Sequence, residues 1–197
     1  MSIMYGFLEV SPLQKRSHKL LASALLRSQQ GFCAKRFEIA FLFGSFQPDC
    51  NPLTYLKGSR RAHRLRGHNF SNSQSYINTH IQKLQQRSNW TIWQYYTLGK
   101  LTHYLADAFT YPHNENYPDS LLAHRRYEDE LRRYLAEYLS RYDLLKQQLR
   151  QDLITSIDQL HRQYMESKAS LERDIRYIIE ATELLMAGCL PHPLPVE

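Results

Sequence analysis

Along "LGKLTHYLADAFTYPHN", residues 98–114, His103 and Asp107 stand four residues apart, and the run ends in Tyr111-Pro112-His113. On a helix, positions i and i+4 lie one above the other on the same face, so this imidazole and carboxylate can point at one shared object. His124 and Glu128 repeat the spacing farther along. His18 stands alone in an earlier helical stretch, Asp49 lies in a turn between Pro48 and Pro52, and His68 ends a basic stretch. Imidazole and carboxylate are the ligands that zinc and similar borderline ions prefer, whereas hard ions such as Ca²⁺ take oxygen alone. A helix bundle that brings such groups together from several helices can build a metal centre in its core. A single H-x3-D is ordinarily a surface pair, so the expectation rests on the set. His80, His161 and His192 fall outside the pattern, and His80 is expected to be an exposed helix residue.

Helices must position these groups. Leu13–Arg27 carries Leu20, Leu21, Ala24 and Leu25 at helical spacing. "AKRFEIAFLFGSF" is apolar enough for a buried helix or a strand, and the prolines of "QPDCNPL" stop it. "SNSQSYINTHIQKLQQ" opens with Ser and Asn capping candidates and continues amphipathically through Ile77, Ile81 and Leu84. The longest apolar-periodic run, Trp90–Thr110, closes at Pro112, and Asp119 is the expected N-cap of the helix holding "LLAHRRYEDELRRYLAEYLSRY". Residues 144–188 are helical again, as two helices, before the proline-rich tail 189–197. The expectation is an all-α, multi-helix single domain over residues 1–197 with the metal centre between helices.

Hydrophobic residues at 43% and aromatics at 12% indicate a folded chain, while only 7 Gly and 8 Pro argue against turn-rich β architecture. The formal charge of +6 is concentrated in part at 57–68, where Lys57, Arg60, Arg61, Arg64 and Arg66 occur without an acid. That block is either a solvated face or a rim that attracts phosphate, whether from nucleic acid, a lipid headgroup or an anionic membrane surface. Cys33, Cys50 and Cys189 are widely separated and form neither a disulfide framework nor a zinc ribbon. No secretory signal and no run of roughly 20 apolar residues stands out, so a cytoplasmic protein is expected.

The motifs together resemble the zinc-dependent phospholipases C of bacteria. "HYLADAFTYPHN" followed by "HRRYE" is similar to that family's histidine and carboxylate ligand series, "SHKLLASALL" resembles its first-helix ligand segment, and "QPDCNP" puts Asp49 in place of its loop aspartate. "GHNFSNSQSYI" resembles the segment around its next histidine, which favours His68, with His63 as the fallback. The resemblance covers most of residues 10–140. It implies a zinc-dependent phosphodiester hydrolase with two or three zinc ions per chain. One zinc falls to Asp49, His68, His103 and Asp107, a second to His113, His124 and Glu128, and a third to His18 with the other oxygen of Asp107. In the family a mature N-terminal tryptophan completes the third site, whereas this chain begins Met1-Ser2-Ile3 and its tryptophans are Trp90 and Trp93. Asp49 is the candidate general base or water orienter as well as a ligand. The implied substrate is a phosphodiester, foremost a phospholipid headgroup. Cys50 and Leu65 stand where secreted members carry aromatics around choline, so a weak choline preference is expected. Two other classes are compatible with the residues: a related single-strand-specific zinc nuclease, suggested by the positive charge and by tyrosines available for base stacking, and a non-catalytic zinc-binding member.

Overall fold

The computed structural model describes residues 12–29, 31–50, 70–114, 121–144, 149 and 151–191. The chain runs through α1 (Pro12–Ser28), α2 (Lys35–Phe46), α3 (Phe70–Gln85), α4 (Ile92–Ala108), α5 (Leu121–Arg141), α6 (Leu153–Glu166) and α7 (Leu171–Cys189). Short 3₁₀ turns, Gln47–Cys50 and Tyr111–His113, follow α2 and α4. No strand occurs among the described residues, and the protein is all-α, as the periodicity predicts. None of the described helices is long and apolar enough to cross a membrane.

The hub is α4, which packs against α1, α2, α3 and α7. Its start is fixed by Thr91, whose side-chain oxygen accepts from the Trp93 N–H while Gln94 reaches back to accept from the Thr91 N–H at 2.9 Å. Leu98, Leu101 and Leu105, together with Phe109 just beyond the helix, are buried in one core with Leu21, Leu25, Phe41, Ile77, Ile81, Ile157, Ile175 and Leu185. Burying each such side chain contributes roughly 1.5–3 kcal/mol. The helix end is closed by Asn114, whose Nδ2 donates to the carbonyls of Ala108 at 3.1 Å and Thr110 at 2.9 Å. Because the helix is enclosed on several sides, its two polar site residues, His103 and Asp107, are carried into the interior.

The segment that was open between helix and strand is helical, and it is less enclosed than its apolarity suggests. Phe41, Gly44 and Ser45 are buried, whereas Ile39 and Phe43 are 57% and 50% exposed. The main cover of α2 is α4, with α1 beside it, and against α4 the backbones meet through glycine. A Cβ on Gly44 would collide with the carbonyl oxygen of Tyr96, and one on Gly99 with that of Phe41. Near the C-terminus, Leu144 and Leu149 lie outside any helix. There α6 begins only after Asp152, whose carboxylate accepts from the Thr155 N–H at 3.0 Å, and α7 begins after Ser170, which accepts from the Arg173 N–H at 3.1 Å. Asp119, the basic run of 57–68 and His192 lie outside the described residues.

Candidate metal centre

His103 and Asp107 share a face of α4, one turn apart, as their spacing predicts, and His103 Nε2 lies 3.2 Å from Asp107 Oδ2. The other nitrogen of His103, Nδ1, is 3.0 Å from the Ser45 carbonyl oxygen. A carbonyl only accepts, so Nδ1 donates there, which turns Nε2 toward the carboxylates, the arrangement that orients a metal-binding imidazole. Two further groups arrive from distant segments. His18 of α1 brings Nε2 to 3.2 Å from Asp107 Oδ1, with its ring centroid 4.0 Å from that of His103. Asp49, in the 3₁₀ turn after α2, lies with its oxygens 3.6 Å from His103 Nε2 and 3.9 Å from His18 Nε2. All four residues are buried. His18, Asp49 and His103 offer ligand atoms within 4.8 Å of one another.

A second cluster forms where the turn after α4 meets α5. The 3₁₀ turn Tyr111–His113 places His113 Nε2 3.4 Å from Glu128 Oε1. On α5 the i, i+4 pair closes to 2.7 Å between His124 Nε2 and Glu128 Oε1. Ligand atoms of His113, His124 and Glu128 likewise lie within 4.8 Å of one another.

The two clusters interact electrically. Burial raises the cost of the Asp107 anion, but His103, His113 and His18 surround it and hold its carboxyl well below the usual range. Burial disfavours charge on His113, yet Asp107 and Glu128 push the imidazole up to about 9. Burial likewise works against Glu128, and hydrogen bonds from His113 and His124 bring it down to about 2. His18, Asp107, His113 and Glu128 line one cavity of about 40 Å³, with Ser17 and Thr110 beside them and Leu21, Leu131, Leu135 and Ile178 as apolar walls. A larger open groove of about 750 Å³ runs past His80, Lys83, Arg87 and Asn89. It lacks a converging set of imidazoles and carboxylates among the described residues. The donor set of imidazole nitrogen and carboxylate oxygen, with ligand atoms within 4.8 Å of one another in each group, fits zinc.

Seven of the eight ligands expected from sequence fall into these two groups, and the eighth, His68, lies outside the described residues with its fallback His63. Distances alone leave Asp107 belonging to both expected sites around it, since each of its oxygens faces a different imidazole. His80 is half-buried rather than exposed, stacked on the Tyr76 ring at 3.9 Å with Nδ1 against the Tyr76 carbonyl. The reason is local: an aromatic one turn earlier offers both a ring face and an acceptor. Of the described tyrosines only Tyr134 and Tyr142 are exposed. Asp174 of α7 escapes motif reasoning although its side chain reaches both segments that carry the second cluster. Its one sequence signal is an acid on the apolar stripe it shares with Ile178, Ala181 and Leu185.

Residues 17–175 match the family described as zinc dependent phospholipase C. That span takes in α6 and the first turn of α7, past the 10–140 stretch that carries the recognisable motifs. No curated protein and no solved structure matches the chain significantly.

Proposed function

Because this chain belongs to the zinc-dependent phospholipase C family, we propose that it hydrolyses phosphodiesters at a centre of two or three zinc ions. In this proposal His18, Asp49, His103 and Asp107 hold one part of the centre, His113, His124 and Glu128 the other, and His68 completes the first. The observation that carries the proposal is the position of Asp107. Its Oδ1 faces His18 and its Oδ2 faces His103, both at 3.2 Å, as a carboxylate shared between two cations requires. When bound, zinc polarises phosphoryl oxygens and makes water acidic enough to lose a proton near neutral pH.

The chain's own residues supply the rest. The Ser45 carbonyl fixes the tautomer and ring plane of His103. Asp107 holds its two imidazole neighbours in place, and Asp49, on a turn rather than a helix, takes the proton from the attacking water or orients that water toward phosphorus. Leu21, Leu131, Leu135 and Ile178 keep the cavity apolar around these charges, which strengthens every electrostatic contact inside it. Cys50, exposed beside Asp49, supplies no aromatic face for a quaternary ammonium. The substrate is therefore a phosphodiester of the phospholipid class without choline selectivity.

The test is turnover of a chromogenic phosphodiester, bis(p-nitrophenyl) phosphate, alongside dispersions of phosphatidylcholine and phosphatidylethanolamine. Zinc-loaded protein is expected to hydrolyse the chromogenic ester and to lose that activity on chelation, with no preference for the choline lipid. Full zinc occupancy without hydrolysis of any of them would make the protein a non-catalytic zinc binder. Strong selectivity for phosphatidylcholine would overturn the headgroup argument.

A further inference from the structure

We propose that Asp174 is a positioning residue for the second ligand cluster: a buried carboxylate that fixes the segment carrying His113 relative to the helix carrying His124 and Glu128. The inference rests on the zinc-site proposal above. Asp174 sits in the first turn of α7 with no exposed surface. Its Oδ2 accepts from the backbone N–H of Tyr111 at 2.7 Å and from the Tyr127 hydroxyl at 2.8 Å. Tyr111 opens the 3₁₀ turn that ends at His113, and Tyr127 directly precedes Glu128 on α5. One oxygen atom thus ties together the two parts of the chain whose separation sets the distance from His113 to Glu128.

The other oxygen anchors the carboxylate itself. Asp174 Oδ1 accepts from Arg173 Nε at 3.1 Å, Arg173 Nη2 at 2.8 Å and the Tyr164 hydroxyl at 3.0 Å. Arg173 lies over the Tyr164 ring at 4.1 Å and donates through Nη1 to the Ser167 carbonyl at 2.9 Å, which locks it to the end of α6. Enclosing an acid this fully is unfavourable unless its lone pairs are used, and apolar groups of similar volume often replace buried ion pairs without loss of stability. An apolar side chain would continue the stripe of Ile178, Ala181 and Leu185. It could not hold two donors from two separate segments on one atom.

The experiment measures zinc affinity of the full chain by competition with a chromophoric chelator. Glu128→Gln identifies which step of the titration belongs to the second cluster. Tyr127→Phe removes a donor from Oδ2 and leaves every ligand in place. Tyr164→Phe removes a donor from Oδ1, on the α6 side, and controls for general loosening. Tyr127→Phe is expected to weaken the Glu128-dependent step by about 10-fold or more, the range seen when groups outside the ligand shell are lost. The other zinc step and the far-UV circular dichroism stay as in the parent protein. Tyr164→Phe lowers Tm but leaves zinc affinity unchanged. Unaltered affinity in Tyr127→Phe, or equal loss in both variants, overturns the positioning role. If Glu128→Gln itself leaves the titration unchanged, the metal-site proposal fails and this inference with it.

Discussion

Asp107 and Asp49 are both carboxylates beside the same imidazoles, but their supports differ. Asp107 is held one turn after His103 on the buried hub helix and contacts both His18 and His103, so its loss removes the nearer of the two carboxylates that these enclosed imidazoles share. Asp107→Ala is expected to release zinc, abolish turnover and lower stability by roughly 3–5 kcal/mol, the cost of breaking a buried charged pair from one side. Asp49→Asn keeps the side chain's shape and one oxygen on the turn but cannot take a proton. Zinc content should stay near normal while the rate falls by about 10²-fold or more. Elemental analysis and initial rates on the chromogenic ester check both. Full turnover in Asp49→Asn would leave Asp49 a structural turn residue, and retained zinc in Asp107→Ala would place the metal elsewhere. At this scale the sequence is legible where the partners are local. The pairs His103 with Asp107 and His124 with Glu128 follow from helix geometry alone. The approach of His18 and Asp49 depends on how α1 and the turn after α2 fold onto α4, which no local spacing encodes. Asp174 is hidden for the same reason, because its partners lie 63 and 47 positions away.

At the scale of elements, the first cluster depends on how closely α2 approaches α4. Gly44 and Gly99 make that approach possible, and Ser45, next to Gly44, supplies the carbonyl that orients His103. Adding a methyl at Gly99 would meet backbone rather than the flexible end of a side chain, so the helices must part. Gly99→Ala is expected to cost roughly 1–3 kcal/mol, as overpacking does, and to weaken zinc binding at the first cluster while sparing the second. Gly188→Ala is the comparison. Its new methyl would meet the side-chain ends of Leu153 and Leu149, which can turn aside, and should lower Tm less. Thermal melting and zinc titration of the two variants decide the matter, and equal effects would remove the special role given to the α2–α4 contact. Six of the seven helices among the described residues are readable because apolar residues recur at the helical period. The segment of α2 is not, since a short apolar run satisfies helix and strand alike. Its half-exposed outcome could not be read either, because a glycine in a sequence does not say which backbone will lie against it.

Considered as a whole, the molecule gathers the candidate ligands from α1, the turn after α2, α4, the turn after α4, and α5, and α7 contacts the turn that carries His113 through Asp174. Metal binding to such a site is linked to folding, and a ligand at 100 times its Kd adds about 2.7 kcal/mol. Chelation is therefore expected to lower Tm by several degrees, and zinc, at two ions or more per chain, to restore it. Calorimetry with elemental analysis tests this, and an unchanged Tm with no metal bound after zinc addition would sink the site assignment. The chain as a whole is formally cationic at +6, yet Asp107 and Glu128 line one small enclosure together with His18 and His113. Both carboxylates already face imidazoles, and the His113 imidazole is pushed up to about 9. His113 would have to give up that proton to hold a metal ion. On the proposed zinc-site reading, metal uptake therefore releases a proton and weakens as the pH falls.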